Sequence, residues 1–361
     1  MSNRRNFIKK SGLLLASTLI PFPSIITGLE QKKLGVALVG LGGYSTNQLA
    51  PALQETKHIE LRGIVTGSPE KIPVWQKKYG IKDANVYNYE NMHQVSNNPD
   101  IDVLYIVTPT FLHAKYANIA ANAGKHVFCE KPMAMTVEEC NSIITTCKKN
   151  NVKLSIGYRL QHEKNTRKII EMASTKPFGS IKTVAASAGF RIGSGAGWRL
   201  NGNKGGGAIY DMGVYPINAL RYGSGKEPLT VTARHENKRP NLFINGANEI
   251  TYFDLQFPDG TFGDGMVTYA NGINDLKIEC ERGSYKLEPF QTYTGVSGST
   301  SEGKTLDPCH CNQQAIQMDD DALSIINKKE MMVPGEEGLK DIRIVEAILE
   351  SARHNSKSIT I

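Results

Sequence analysis

The stretch VALVGLGGYSTNQLAPAL, residues 36–53, decides the fold. A short apolar run ends in a glycine-rich turn, and a segment with helical spacing follows it. A first glycine in such a turn allows a tight bend, and the next lets backbone amides approach a pyrophosphate at the helix N-terminus. The stretch therefore predicts a dinucleotide-binding βαβ unit, with a plain tight turn as the alternative. The expected cofactor-binding residues are Gly40, Gly42, Gly43, Tyr44 and Ser45, the last standing where a third Gly or Ala would give close packing.

Short apolar runs alternate with helical periodicity as far as residue 157. The runs are LGVALVG, IELRGIVTG, IDVLYIVTP, KHVFCEKP and VKLSIGY, and helices are predicted near residues 45–55, 69–79, 112–123 and 137–150. Continuous apolar strands separated by amphipathic helices indicate a parallel, doubly wound sheet. We predict a nucleotide-binding Rossmann domain of the α/β class over residues 34–157.

The pattern changes after residue 158. One more helix is predicted near 163–174, and then come alternating strands joined by Pro-Asp-Gly, Asn-Gly and Arg-Gly turns, with a long Ser/Thr/Gly-rich loop over 291–312. This pattern predicts an α+β domain with an open, mainly antiparallel sheet, which we assign to substrate binding and oligomerisation over residues 158–335. A C-terminal helix within 336–361 is expected to pack back on the first domain.

The charge of the chain gives no support to nucleic-acid binding. The 361 residues carry a formal charge of +7, and residues 1–27 contribute four basic residues and no acid, so 7 − 4 leaves +3. No basic stripe interleaved with aromatic residues is present. Nucleic acid is therefore not an expected partner.

The N-terminal stretch NRRNFIKKSGLLLASTLIPFPS has the features of a twin-arginine export signal. A twin arginine and further basic residues precede an apolar run that is too short to span a membrane and that Pro21 and Pro23 interrupt. We predict a signal peptide over residues 1–27, a periplasmic location and no stable membrane insertion after export. A basic amphipathic helix or a membrane anchor is the alternative.

Six cysteines are compatible with disulfides in an oxidising compartment, but no pattern fixes a pairing. Cys309-His310-Cys311 resembles half of a zinc site and lacks the second half that zinc spacing requires. No metal site is predicted.

The end of the second predicted strand bears on the choice of cofactor. An NAD site usually places an acidic residue there to bind the ribose 2′-hydroxyl. Here Thr66 and Ser68 leave the position uncharged and Lys71 stands nearby, so a 2′-phosphate would meet no repulsion. NADP is favoured over NAD, and a solvated Lys71 on a helix surface is the alternative.

Two further segments carry polar groups in places that suggest chemistry. VFCEKPMAM, residues 127–135, places Lys131 at the end of a predicted buried strand, where parallel sheets bind ligands. GWRLNGNKGGGAIYDMGVYPINALRY, residues 197–222, has a glycine-rich entry to a predicted helix. Asp211, Tyr215 and Asn218 fall at i, i+4 and i+7 and are expected on one face of that helix; a core tyrosine is the alternative for Tyr215.

Together GLGGYS, EKP, GYR at 157–159 and GGGAIYDMGVYPINALRY resemble the Gfo/Idh/MocA oxidoreductase family, from about residue 34 to the C-terminus. Within it the chain is most similar to the glucose-fructose oxidoreductase type, which has Tyr at the position of Tyr215 where many relatives have His. The resemblance implies a Rossmann domain followed by a larger open sheet, with nicotinamide and sugar meeting between them. It also implies that Lys131, Asp211 and Tyr215 are catalytic.

The implied chemistry assigns each of the three a role. Removal of a sugar hydroxyl proton by a tyrosine needs a nearby ammonium, because a phenol has an ordinary pKa of about 10. We expect Tyr215 to remove the proton, Lys131 to stabilise the phenolate and hold the hydroxyl, and Asp211 to orient the sugar. Further substrate-side residues are expected to be Tyr158, Arg159, Trp198, Arg199 and Asn218, and further cofactor-side residues Thr108, Pro109, His113, Glu130 and Lys131.

The resulting hypothesis is an exported NADP-dependent sugar oxidoreductase of the glucose-fructose oxidoreductase type. Because the periplasm holds no pool of free NADP, one bound cofactor would oxidise an aldose to a lactone and then reduce a second sugar. The alternatives are a glycoside 3-dehydrogenase, an NAD-dependent glycosidase, and a sugar-binding protein without turnover. The long proline-rich arm of this type is absent between the apolar run and Leu34, and an open sheet predicts a homodimer or tetramer.

Overall fold

The computed structural model describes residues 32–361, and the signal peptide predicted over residues 1–27 lies outside them. Residues Lys33–Ile361 form one compact unit. None of the helices in the described range combines the length and apolar character that a membrane span requires.

The first sheet has six parallel strands. They are β1 (Leu34–Val39), β2 (Ile59–Val65), β3 (Val86–Tyr87), β4 (Val103–Ile106), β5 (His126–Cys129) and β6 (Leu154–Ile156). Their order is β3-β2-β1-β4-β5-β6, and every neighbouring pair is parallel. The order reverses between β1 and β4, so the carboxyl ends of these two strands flank the crevice where such sheets bind ligands. The predicted doubly wound sheet is confirmed.

Four helical segments accompany this sheet. A π-helical turn (Ser45–Leu49) continues into α1 (Ala50–Ala52), and the others are α2 (Ile72–Tyr79), α3 (His113–Asn122) and α4 (Val137–Lys149). The Thr136 hydroxyl caps α4 by accepting a hydrogen bond from the backbone N–H of Glu139 at 3.1 Å. Apolar side chains cover both faces of the sheet, as its continuous apolar strands require.

The second sheet has nine strands and is mainly antiparallel, as predicted. Its strands are β7 (Ile181–Gly189), β8 (Thr230–Glu236), β9 (Ile250–Gln256), β10 (Phe262–Thr268), β11 (Ile273–Cys280), β12 (Gly283–Leu287), β13 (Gly298–Thr300), β14 (Thr305–Leu306) and β15 (Ile359–Thr360). Their order is β14-β13-β12-β11-β7-β10-β9-β8-β15, and β10 runs parallel to β7. The prediction of one long loop over 291–312 was wrong, because β13 pairs with β12 and β14 pairs with β13.

Five α-helices follow β6 in the described part of the chain. They are α5 (Lys164–Thr175), α6 (Ala208–Asp211), α7 (Val214–Ser224), α8 (Gln313–Ile326) and α9 (Gly335–Arg353). Helix α7 packs against β7 and β10, and α9 packs against both β8 and α4. The C-terminal helix therefore contacts elements that accompany each sheet.

Helix α8 is absent from the sequence prediction. Its buried Ala315, Met318 and Ala322 pack with the core on one face of the first sheet. Within the helix sequence QQAIQMDDDALSII few residues are large and apolar, so the hydrophobic periodicity is weak.

The segment that carries Asp211 and Tyr215 is broken, in contrast to the single helix predicted. Helix α6 ends at Asp211 and α7 starts at Val214, with Met212 and Gly213 between them. Asp211 and Tyr215 therefore belong to different helices, and only Tyr215 and Asn218 share one.

Two of the six cysteines form a disulfide and the other four are free. Cys309 and Cys311 form a disulfide, a pairing that the sequence left open. The free thiols are Cys129, Cys140, Cys147 and Cys280. Within residues 32–361 no group of three or more His, Cys, Asp or Glu side chains is placed to hold a metal ion.

Candidate active site

A cavity of about 830 Å³ lies at the carboxyl ends of the parallel strands. One side is formed by the loops that follow β1, β4 and β5, and the other by segments of the second sheet region around Phe190, Trp198 and Tyr293. Both predicted halves of the site, the glycine-rich turn and the Lys131 segment, line this single cavity. The cavity is therefore the candidate active site.

Lys131 lies at its centre. The residue follows β5, and its peptide bond to Pro132 is cis. Its Nζ donates to the backbone carbonyl of Asp211 at 2.8 Å and lies 3.7 Å from Oδ1 of the same residue. Burial favours the neutral amine, but Tyr215 and Asp211 outweigh burial and raise the pKa of Lys131. Lys131 is thus a buried, charged ammonium.

Asp211 ends α6 and is held by several donors. Its Oδ2 accepts hydrogen bonds from Arg199 Nε at 2.8 Å and from the Tyr269 hydroxyl at 2.6 Å. Burial alone would raise the pKa of Asp211, but Lys131, Arg199 and the Tyr269 hydroxyl together hold it below its ordinary value. The carboxylate is therefore ionised at neutral pH, with Oδ1 turned to Lys131.

Tyr215, in the first turn of α7, lies between two cations. The Nζ of Lys131 is 4.7 Å from its ring centroid, and the guanidinium carbon of Arg159 is 5.7 Å from it. Cations at such distances from a phenol stabilise negative charge that develops on it. The structure thus brings together Lys131, Asp211 and Tyr215 in the cavity wall.

Arg159 is almost fully buried, with 3% of its surface exposed. Its Nη1 donates to the backbone carbonyl of Thr292 at 2.7 Å and to the side-chain oxygen of Gln313. Its guanidinium also lies 4.8 Å from the ring centroid of Tyr293. Arg159 therefore joins β6 to the loop around Tyr293 and lines the cavity, as a substrate-side residue was expected to do.

Tyr293 and Tyr269 were missed by the sequence analysis. Tyr293 lines the cavity, and its ring lies 6.1 Å from that of Tyr44 in the glycine-rich turn. Tyr269 binds Asp211 from the end of β10. Neither lies in a recognisable motif, and a single tyrosine in a strand or loop is ordinarily a core or surface residue.

The glycine-rich turn leaves room for a dinucleotide. Gly40 has φ +101°, and a Cβ there would lie 2.8 Å from the carbonyl oxygen of Val107, so the turn requires glycine. A Cβ at Gly42 would meet nothing within 4 Å, and one at Gly43 would meet only the Asn47 side chain, at 3.9 Å. These two positions border open cavity, so the turn fits a bound pyrophosphate.

Ser45 does not reach this open space, which corrects its assignment as a cofactor contact. Its side chain is fully buried, and its hydroxyl donates to the Gly40 carbonyl oxygen at 2.5 Å. Ser45 therefore shapes the turn. Tyr44, in contrast, lines the cavity.

Thr66, Gly67 and Ser68 leave the end of β2 uncharged, as predicted, and Glu70 and Lys71 follow in the next turn. Thr66 Oγ1 accepts a hydrogen bond from the backbone N–H of Ser68 at 3.0 Å. Lys71 Nζ donates to the carbonyl oxygen of Leu41 at 2.9 Å, so its ammonium lies beside the glycine-rich turn and is not a fully solvated group. Hydroxyls and one cation are thus available at the position of a ribose 2′-substituent.

Both ring nitrogens of His113 lie within hydrogen-bond distance of backbone carbonyl oxygens. Nδ1 lies 2.9 Å from the carbonyl oxygen of Pro132, and Nε2 lies 2.7 Å from that of Thr108. Burial lowers the pKa of His113, so the neutral ring donates one of these two bonds. His113 lines the cavity, as expected of a cofactor-side residue, and its contacts also hold the loops after β4 and β5.

Thr108, Pro109 and Glu130 line the cavity as expected of cofactor-side residues. The Thr108 hydroxyl is buried and has no hydrogen-bond partner among residues 32–361, so it can bind an incoming polar group. Glu130 Oε1 accepts a hydrogen bond from Tyr105 at 2.8 Å, and burial raises the pKa of Glu130.

Trp198 and Arg199 form one wall of the cavity. The Arg199 guanidinium carbon lies 4.6 Å from the Trp198 ring centroid while its Nε binds Asp211. A Cβ at Gly206 would lie 2.6 Å from the carbonyl oxygens of Trp198 and Asn201, so the glycine allows the chain to pack against this turn. The glycine-rich entry thus positions Trp198 and Arg199.

Tyr158 and Asn218 lie outside the cavity lining, which corrects their assignment to the substrate. Asn218 donates to Asp341 of α9, a fully buried carboxylate that also accepts from Arg221 Nη1 at 2.6 Å. Tyr158 is buried, with 4% exposed, in the core beside α9. The hydrogen bond to Asp341 directs the Asn218 side chain toward α9, and Tyr158 packs in the core.

Two family descriptions match the chain. "Oxidoreductase family, NAD-binding Rossmann fold" covers residues 34–158, and "GFO/IDH/MocA C-terminal domain" covers residues 166–286. The first region contains the glycine-rich turn and Lys131, and the second contains Asp211, Tyr215 and Tyr269.

Three relatives span most of the chain. The crystal structure of aldose-aldose oxidoreductase from Caulobacter crescentus, complexed with glycerol, is 35% identical, covers 91% of this chain and 100% of its own, and superposes with a TM-score of 0.87. D-xylose 1-dehydrogenase [NADP(+)] from Haloarcula marismortui is 26% identical, over 89% of this chain and 91% of its own. A scyllo-inositol 2-dehydrogenase (NADP(+)) from Bacillus subtilis is 25% identical, over 90% and 96%. This chain is therefore an oxidoreductase that belongs to the Gfo/Idh/MocA family.

Proposed function

We propose that this protein is an NADP-dependent sugar oxidoreductase of the glucose-fructose oxidoreductase type. It oxidises the C1 hydroxyl of an aldose to a lactone and reduces a second sugar with the same bound cofactor. The observation that carries the proposal is the contact of Lys131, Asp211 and Tyr215 in a cavity that also includes the glycine-rich turn. The relatives named for xylose and aldose oxidation support the choice of an aldose.

Tyr215 is the base in this proposal. Its hydroxyl takes the proton of the sugar C1 hydroxyl while the ammonium of Lys131, 4.7 Å from the ring centroid, stabilises the phenolate. Asp211 orients the sugar through Oδ1, because Oδ2 is already bound by Arg199 and Tyr269. A bound nicotinamide would supply the acceptor for the hydride of C1. In the second half of the cycle Tyr215 returns a proton to the carbonyl oxygen of the other sugar.

The chain's own residues favour NADP in this proposal. Gly42, Gly43 and the Thr108 hydroxyl would hold the pyrophosphate and nicotinamide portions, and Lys71 lies where a 2′-phosphate would gain a cation. Two of the relatives are named as NADP enzymes. Occupancy by NAD would leave Lys71 without an anionic partner on the cofactor.

Export to the periplasm and self-association belong to the same proposal. The twin arginine and short apolar run within residues 1–27 support export. The strands of the second sheet alternate buried and exposed residues with helices α7 and α9 against one face, which leaves the opposite face for a second copy of the chain. A homodimer or tetramer that binds only small sugars is expected.

Absorbance of the bound nicotinamide tests the proposal. Purified protein loaded with NADP should gain the absorbance of reduced nicotinamide when an aldose is added and lose it again when a second, carbonyl-bearing sugar is added. Tyr285→Phe is a control variant that should behave as the unsubstituted protein does. Its ring is buried away from the cavity, and the Tyr285 hydroxyl has no hydrogen-bond partner in the described residues. Cleavage of a glycoside with no net change in nicotinamide would instead support a glycosidase, and sugar binding without any absorbance change would support a non-catalytic protein.

A further inference from the structure

The Tyr269 side chain is fully buried, and its hydroxyl makes a hydrogen bond to a residue of the candidate active site. It follows β10, in the sheet of the C-terminal half, and its hydroxyl donates to Asp211 Oδ2 at 2.6 Å. A buried phenol needs a hydrogen-bond partner, and this one has a carboxylate in the candidate active site. The contact links the second sheet directly to the catalytic group.

The backbone of Tyr269 is anchored on both sides. Its N–H donates to the carbonyl oxygen of Glu249 at 2.8 Å, and its own carbonyl accepts from Arg239 Nη2 at 2.7 Å. Arg239 Nε in turn binds Glu249 Oε1 at 2.7 Å, and that carboxylate is fully buried. The phenol is thus held at a fixed position relative to Asp211. The Phe190 ring also packs against it in an edge-to-face arrangement, with 5.2 Å between the two ring centroids.

The two oxygens of Asp211 have different partners. Oδ2 accepts from both Tyr269 and Arg199, whereas the Lys131 ammonium lies 3.7 Å from Oδ1. The Arg199 side chain is 40% exposed at the cavity wall, while Tyr269 is enclosed by the core. Of the two donors to Oδ2, Tyr269 is therefore the one whose position does not depend on what occupies the cavity.

We infer that Tyr269 is a positioning residue for Asp211. Its hydroxyl fixes Oδ2, so that Oδ1 is left facing Lys131 and the sugar hydroxyl. The expected effect of Tyr269 on catalysis rests on the proposed function. Its expected effect on the Asp211 carboxylate does not depend on the reaction. Tyr269 touches neither substrate nor the reacting atoms and acts only through Asp211.

Tyr269→Phe removes the hydroxyl and keeps the buried ring. We expect kcat/KM for the aldose to fall about tenfold, chiefly through a higher KM, because Asp211 loses a charge-assisted hydrogen bond that orients it. The acid limb of the pH profile should move to higher pH, since Asp211 keeps Lys131 and Arg199 but loses one donor to its ionised form. Affinity for NADP, measured by fluorescence titration, should not change.

The control is Tyr285→Phe, which deletes a buried hydroxyl that has no partner among residues 32–361. It should leave KM, kcat and the acid limb at wild-type values. Unchanged KM and acid limb in Tyr269→Phe would overturn the inference, and so would a loss of kcat alone with an unmoved acid limb, because that pattern indicates a purely structural role.

A titration of the Asp211 carboxyl separates this inference from the proposed function. Carbon NMR of protein labelled at aspartate, with the signal assigned by Asp211→Asn, should show the carboxyl titrating at higher pH in Tyr269→Phe than in wild type or Tyr285→Phe. If the wild type oxidises no sugar, the proposed function fails, and this shift still supports the contact. An unshifted titration refutes the inference whether or not the enzyme is active.

Discussion

Replacing Lys131 by Met should lower kcat about 400-fold. The ammonium lies 4.7 Å from the Tyr215 ring centroid, and its side chain is 14% exposed. Coulomb's law at that separation, with an effective dielectric constant of about 20, gives about 3.5 kcal/mol between the ammonium and a phenolate. At 1.36 kcal/mol for each factor of ten, this is about 400-fold in rate. Met keeps most of the volume of the side chain and leaves Asp211 bound by Arg199 and Tyr269.

The assay is the first-turnover rate of nicotinamide reduction in protein loaded with NADP. Lys115→Met is the matched control, because Lys115 Nζ lies over the Tyr116 ring at 5.4 Å but neither residue lines the cavity. It should react at the wild-type rate. If Lys131→Met also reacts within about threefold of wild type while binding NADP normally, the ammonium does not stabilise the phenolate and the assigned role of Lys131 is refuted.

Three further predictions concern the framework of the site. Arg221→Met should lower the free energy of unfolding by about 3–5 kcal/mol in urea titrations, because it removes the cation paired with the fully buried Asp341; an unchanged midpoint would contradict this. Gly40→Ala should cost about 1–3 kcal/mol and weaken NADP binding, since φ is +101° and a Cβ would lie 2.8 Å from the Val107 carbonyl oxygen; wild-type stability and affinity would refute the tight turn. Burial raises the pKa of Asp321 to about 6, so its stabilising contribution is present below about pH 4 and is lost as pH rises through about 6. Calorimetry of Asp321→Asn should therefore show a flatter pH dependence of stability across that window, and an identical slope would contradict the assignment.

The fold was predictable from the sequence where apolar residues recur in a regular pattern. The apolar runs ending at Val39, Val65, Ile106 and Cys129 are strands in the structure, because strands buried on both faces leave few positions for polar residues. Helix α8 escaped prediction because polar residues, among them Gln314, Gln317 and Asp321, share its buried face with its apolar residues. Its place on the first sheet is set by tertiary packing, which local pattern does not encode.

The site was predictable only where its residues share a motif. Lys131, Asp211 and Tyr215 stand in recognisable segments and do meet in the cavity. Asn218 was misplaced because it was taken to share the side of α7 that carries Tyr215, whereas its side chain donates to Asp341 of α9. Tyr269 was missed because its contact with Asp211 depends on how β10 meets α6, and no periodicity reports a contact between elements so far apart in sequence.

The assignment of Tyr215 as the base is the central claim, and one measurement tests it most directly. Wild-type protein and Tyr215→Phe, each loaded with NADP, are mixed with the same aldose, and reduction of the bound nicotinamide is followed through the first turnover. Loss of a general base predicts a rate at least about 100-fold lower in Tyr215→Phe, with unchanged affinity for NADP. Reduction at the wild-type rate in Tyr215→Phe would contradict the account.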